Sequence, residues 1–215
     1  MTEKAGLRWL DGRGWIALAG TGDDSVRAHV LSIAAADGGV AYVALRDAAY
    51  PEQLMLDMDD LGAPAGYLVN VHTEQPDTVV KQLSEASIVV IGDLADAETL
   101  SAALDGAAET GMRAAFEHGA VVLAEGAGAA ALGAWITAAD GELIPALGWL
   151  ENALILPGIV TAGQSPAARQ ALEARQIGLA VGVGAGSALA LGPDGELEAW
   201  GSGQVTIVFG MHSAN

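Results

Sequence analysis

The chain has 215 residues, 52% of them apolar, with nine basic and 27 acidic side chains and a net charge of −18. The absence of cysteine excludes disulfides, thiolate metal sites and cysteine nucleophiles, and the scarcity of Lys and Arg argues against nucleic acid and anionic membranes as partners. No apolar run reaches the roughly 18–20 residues of a spanning helix, and the opening MTEKAGLRWL lacks the apolar stretch of a signal peptide, so a cytoplasmic location is expected.

In chain order, Gly14 to Ala19 reads as a buried strand, and the turn GTGDD leads into a helix from Ser25 to Ala36 with Asp24 at its N-cap. Gly38-Gly39 stops that helix. Val40 to Leu45 is a second strand. Apolar positions 54, 55, 58 and 61 predict a helix over 51–60. Gly66 to Val71 is a third strand, and a helix from Pro76 to Ser84 has proline in its first turn. Ser87 to Ile91 is a fourth strand. Asp96 caps a short helix to Leu104, a longer helix covers 106–118, and a fifth strand covers 120–124 before an alanine-rich helix.

The pattern then changes. TAADGELI predicts a hairpin turn, Asn152 to Leu156 a strand, and SPAARQALEARQ a helix with Ser165 at N-cap and Pro166 at N1. Four short runs follow, 178–183, 187–191, 195–199 and 204–209, with GPDG joining two of them in antiparallel style. The expected architecture is a three-layer α/β/α sandwich. Its central sheet is mostly parallel with helices on both faces, and short antiparallel strands near the C-terminus extend or flank it. With no linker or repeat, residues 1–215 read as a single domain.

Ligands on such sheets bind beyond the carboxyl ends of the strands. Three turns are expected to meet there: Gly20-Thr21-Gly22-Asp23, Gly92-Asp93 and Glu125-Gly126-Ala127. GAGAAA at 126–131 matches a dinucleotide fingerprint, G-x-G-x-x-A. It follows the fifth strand rather than the first, and Glu125 beside it would repel a pyrophosphate. Written as a nucleophile elbow, G-x-S-x-G, residues 124–128 give A-E-G-A-G, with Gly126 at the nucleophile position.

The order of IALAGTGDD, IVVIGDLADAETLSAAL, FEHGAVVLAEGAGAAALG, PAARQALEARQ, GVGAGSALAL and WGSGQVTIVF, over residues 14 to 209, resembles the cyanophycinase and dipeptidase E family of serine peptidases. The resemblance implies the class I glutamine amidotransferase-like fold, serine-type hydrolysis and a homodimer formed around Trp135, Trp149 and Trp200. The departures matter more. The family's serine falls on Gly126. No histidine lies between Leu156 and Gln164, where its catalytic His-Phe should fall, and its Asp-Glu pair falls on or near Gly184-Ala185. Its arginines are thinned to Arg169 and Arg175. Only backbone donors at Gly92 and Ala127 are left, so peptidase activity of the family type is not expected.

The resulting expectation is a degenerate peptidase-like domain that binds an unidentified small molecule or protein through Gly20, Thr21, Gly22, Gly92, Asp93, Glu125, Gly126 and Ala127, with no cofactor and no metal. One alternative is a hydrolase that uses Glu125, Asp93 and Asp23. Another is a nucleotide-binding module. Asp23, Asp24 and Asp93 read first as caps and turn residues, and Glu125 as a polar group at a helix N-terminus. Together they form a carboxylate cluster only if the turns converge, which would suit a hard cation or an amine. His29, His72, His118 and His212 are scattered without metal-ligand spacing. Neither Thr161 nor Ser187 has an evident base. The tryptophans at 9, 15, 135, 149 and 200 read as core or interface anchors.

Overall fold

The structure is a computed structural model and describes residues 6–35, 38–46 and 49–210. The first half alternates strand and helix: β1 (Trp15–Ala19), α1 (Asp24–Ile33), β2 (Val40–Ala44), α2 (Ala49–Asp60), β3 (Gly66–Asn70), α3 (Pro76–Ser84), β4 (Ile88–Ile91), α4 (Ala97–Leu104), α5 (Ala107–Glu117), β5 (Val121–Glu125) and α6 (Ala127–Ala131). The second half contains β6 (Trp135–Thr137), β7 (Leu143–Pro145), β8 (Ala153–Pro157), a 3-10 turn (Ala162–Gln164), α7 (Pro166–Glu173), β9 (Leu179–Val183), β10 (Ser187–Leu191), β11 (Leu197–Gly201) and β12 (Val205–Phe209).

Seven strands form the main sheet in the order β11-β10-β1-β5-β4-β2-β3, parallel from β1 through β3 and antiparallel at β10 and β11. Its strands are apolar throughout because both faces are covered. On β1, Ile16 and Leu18 face the core shared with α3, α4 and α5, while Ala17 and Ala19 face Val26 and Val30 of α1 and Leu54 and Met58 of α2. The two-sided α/β arrangement read from the sequence is therefore present. Among the described residues no helix is long and apolar enough to cross a membrane.

The short strands of the second half both extend and flank the main sheet, as the sequence predicts. β10 and β11 extend it as an antiparallel hairpin, and β12-β9-β8-β6-β7 form a separate five-stranded sheet. Within it β8 and β9 run parallel, as do β6 and β8. The connection through α7 is long enough to carry the chain back to the starting end of β8, which a tight turn cannot do. The inner face of this sheet, including Ile155 and Val181, joins the α3–α5 core, and its outer face packs Leu154 and Ala180 against Ala168 and Ala171 of α7.

Helix ends show where side-chain chemistry prevails. Asp23, not Asp24, is the N-cap of α1: its backbone is extended, and its carboxylate accepts the N–H groups of Ser25 and Val26. Asp24 is already helical. The helix ends at Ile33 rather than Ala36, with Ala34 extended and the Ser32 hydroxyl donating to the His29 carbonyl near that end. Ala36 itself and His212 lie outside the described residues. Asp96 and Ser165 cap α4 and α7 as read from the sequence. The alanine-rich helix is short, five residues, because the chain turns at Gly133 into β6.

Candidate functional site

The order β1-β5-β4 in the sheet brings together the ends of three strands whose following turns were singled out by sequence. The Gly126 N–H donates to the Ala19 carbonyl at 3.1 Å, tying the β5 turn to the end of β1. The Ala127 N–H donates to Asp93 Oδ1 at 2.9 Å, tying it to the turn after β4.

Gly126 has φ 55° and ψ −125°. The strand-to-helix turn is thus sharp, in a backbone conformation that a side-chain-bearing nucleophile would hold only under strain and that glycine adopts freely. Nothing reactive is mounted on it. A Cβ at this position would lie 2.7 Å from Asp93 Cγ and 2.8 Å from Asp93 Oδ1. The Asp93 carboxylate thus occupies the space above the elbow and holds the N–H that an oxyanion or a phosphate would need. The Gly92 backbone, the second expected donor, lies under the Tyr50 ring, which a Cβ at 92 would strike at 2.5 Å. Gly128 allows α6 to approach β4 closely, since a Cβ there would sit 2.7 Å from the Ile91 carbonyl. The glycines of the fingerprint-like stretch therefore serve the elbow turn and helix packing.

Glu125 is fully buried. It is neither a solvent-facing helix-end group nor a free base. Arg27 Nε and Nη2 donate to Glu125 Oε1 at 2.8 Å and Oε2 at 2.9 Å in a bidentate pair. Arg27 Nη1 also lies 3.4 Å from Asp57, whose other oxygen accepts from Gln53, and 3.7 Å from Asp24. Burial alone would lower the Arg27 pKa. Its hydrogen bonds and charge interaction with Glu125 outweigh that effect and raise it. Arg27 is the residue that sequence reading missed. The available signal was its place between Val26 and Val30, on the apolar side of α1.

The remaining candidates have structural duties. A Cβ at Gly20 would meet the Val183 and Gly184 carbonyls at 2.3 and 2.2 Å, so glycine there permits close approach of the β9–β10 turn. Gly22 leaves room for the Arg27 guanidinium, which a Cβ would meet at 2.5 Å. Thr21 is exposed. Asp23 caps α1, and the Ser25 hydroxyl, against opposition from partial burial, leads the hydrogen bonds that lower its pKa. Among the described residues no three acidic or histidine side chains are placed to hold a metal ion. Ser187 donates to the Gly184 and Gln204 carbonyls, and Thr161 precedes the 3-10 turn. His118 caps α5, His29 packs at a tilt against the Trp200 ring with centroids 4.5 Å apart, and His72 lies in the turn after β3. Trp149 is fully buried and Trp200 nearly so; Trp135 is half-buried.

No family model and no curated protein matches the sequence. Among solved structures, a peptidase from an acI-B1 Actinobacterium superimposes with a TM-score of 0.75 at 16% identity, covering 93% of this chain and 92% of that one. The chain has the fold of these peptidases. A protein of Listeria monocytogenes EGD-e described as peptidase E gives a TM-score of 0.61 at 12% identity, covering 88% of this chain and 98% of the other. The likeness extends over nearly all of both partners, in keeping with the order of segments noted in the sequence.

Proposed function

We propose that this chain is a catalytically inert protein on a peptidase E-like fold, whose elbow turns form a binding surface for a small ligand or a protein partner. The observation that carries this reading is the Asp93 carboxylate seated over Gly126 and hydrogen-bonded to the Ala127 N–H. Acyl transfer needs a nucleophile at that point and a free donor for the developing oxyanion. Here the nucleophile is absent and the donor is engaged by the protein's own carboxylate. The outward face of the site, an exposed Asp93 and a partly exposed Tyr50, suits a ligand that brings N–H donors.

The alternative of an acid-based hydrolase is weakened by the state of Glu125, whose two oxygens are both taken by Arg27. The test is a panel of dipeptides offered to the purified chain, with amine release and NMR spectra recorded in parallel. The expected result is no turnover, with saturable shifts at Gly22, Asp93 or Ala127. Turnover that disappears in Asp93→Asn or Glu125→Gln would instead establish the hydrolase. Neither turnover nor shifts at the elbow, with dipeptides or with basic peptides, would remove the binding role.

A further inference from the structure

At the other end of the main sheet, where β2 and β3 begin, lies a cavity of about 160 Å³. Its walls are mainly apolar, from Met55 and Leu56 of α2 and from Ala63 in the following turn. Two polar side chains interrupt them. Tyr42, on β2, is 1% exposed, and its hydroxyl has no hydrogen-bond partner among the described residues. Asp59, in the last turn of α2, is exposed at the rim and makes no ion pair among the described residues. The enclosed polar side-chain atoms without a partner among the described residues are Gln82 Oε1 and Trp149 Nε1, so the Tyr42 hydroxyl is not sealed in the core but open to the cavity, where it can meet a ligand.

The surrounding charge indicates the sign of a ligand. The final turn of α2 contains Asp57, Asp59 and Asp60 and no basic residue, although a helix C-terminus favours cations. The neighbouring Arg27 is neutralised by Glu125 and Asp57. The cavity is also formed rather than accidental in one respect: a Cβ at Gly66 would sit 2.5 Å from the Tyr42 ring, so glycine at 66 is what lets the tyrosine lie there. The volume is about that of the apolar cavities known to hold a benzene-sized molecule.

We infer that this cavity binds a small primary ammonium with a short hydrocarbon tail, the tail among Met55, Leu56 and Ala63, the ammonium donating to Asp59 and to the Tyr42 oxygen. The inference is independent of the reading of the elbow. The test is titration of the full chain with n-butylamine at neutral pH, followed by amide NMR and repeated with n-butanol, which has the same tail and no charge. Saturable shifts centred on Ala63 and Gly66 are expected, with n-butanol at least about tenfold weaker, as loss of a charge-assisted hydrogen bond implies. Asp59→Asn should weaken n-butylamine by a similar factor and Tyr42→Phe by a smaller one, both at wild-type melting temperature. Equal binding of n-butanol, or the absence of saturable shifts at these residues, would overturn the assignment. The comparison of amine with alcohol uses the wild-type chain, so it stands even if a variant fails to fold.

Discussion

Arg27 and Glu125 face each other as a two-pronged ion pair across the gap between α1 and the end of β5, with side chains 8% and 1% exposed. The pair fastens the first turn of the sheet to the elbow, and it explains why an acidic residue can end a buried strand.

Removing one partner leaves the other charge buried without compensation. Arg27→Met is expected to destabilise the chain by about 3–5 kcal/mol. The double variant Arg27→Met/Glu125→Leu, which removes both charges, should recover most of that loss. Urea denaturation of the two variants checks it. Equal destabilisation of single and double variants would show that the pair has no special role.

Serine at the elbow is expected to be harmful rather than restorative. Gly126→Ser puts a side chain at positive φ and forces the Asp93 carboxylate away from the Ala127 N–H. The expected loss is about 1–3 kcal/mol, with no gain of dipeptide hydrolysis. Asp93→Ala in the serine background removes the clash and should restore part of the melting temperature. Thermal unfolding of the single and double variants distinguishes this from backbone strain alone, for which Asp93→Ala would bring no recovery.

The three tyrosines provide a pH test. Burial, then the Asp59 charge, pushes Tyr42 up to about 12, and burial also raises Tyr50 and Tyr67. A phenol whose folded pKa lies above its unfolded value of about 10 favours the folded state while it is protonated. That contribution is complete below pH 10 and is lost as pH rises from about 10 toward 12. Tyrosinate absorbance should therefore show the Tyr42 transition displaced toward pH 12 in the native chain, and three ordinary tyrosines in denaturant. A native transition at pH 10 accounting for Tyr42 would contradict its burial.

Much of the architecture was determined by sequence alone, because it follows from local physics. Apolar runs spaced by helical periodicity identified every strand of the parallel sheet, and Asp96, Pro76, Ser165 and Pro166 marked helix starts through their own backbone chemistry. The glycine at 126 and the absence of a hydroxyl there were equally plain. Tertiary structure alone decided the rest. That β8 and β9 leave the main sheet depends on which strands find partners across long separations. That Glu125 is spent on Arg27, 98 positions away, and that Asp93 covers Gly126 depend on the strand order β1-β5-β4, which brings distant side chains together. Hydrophobic period and caps are properties of neighbours along the chain, whereas the charge state and occupancy of a site are set by neighbours in space.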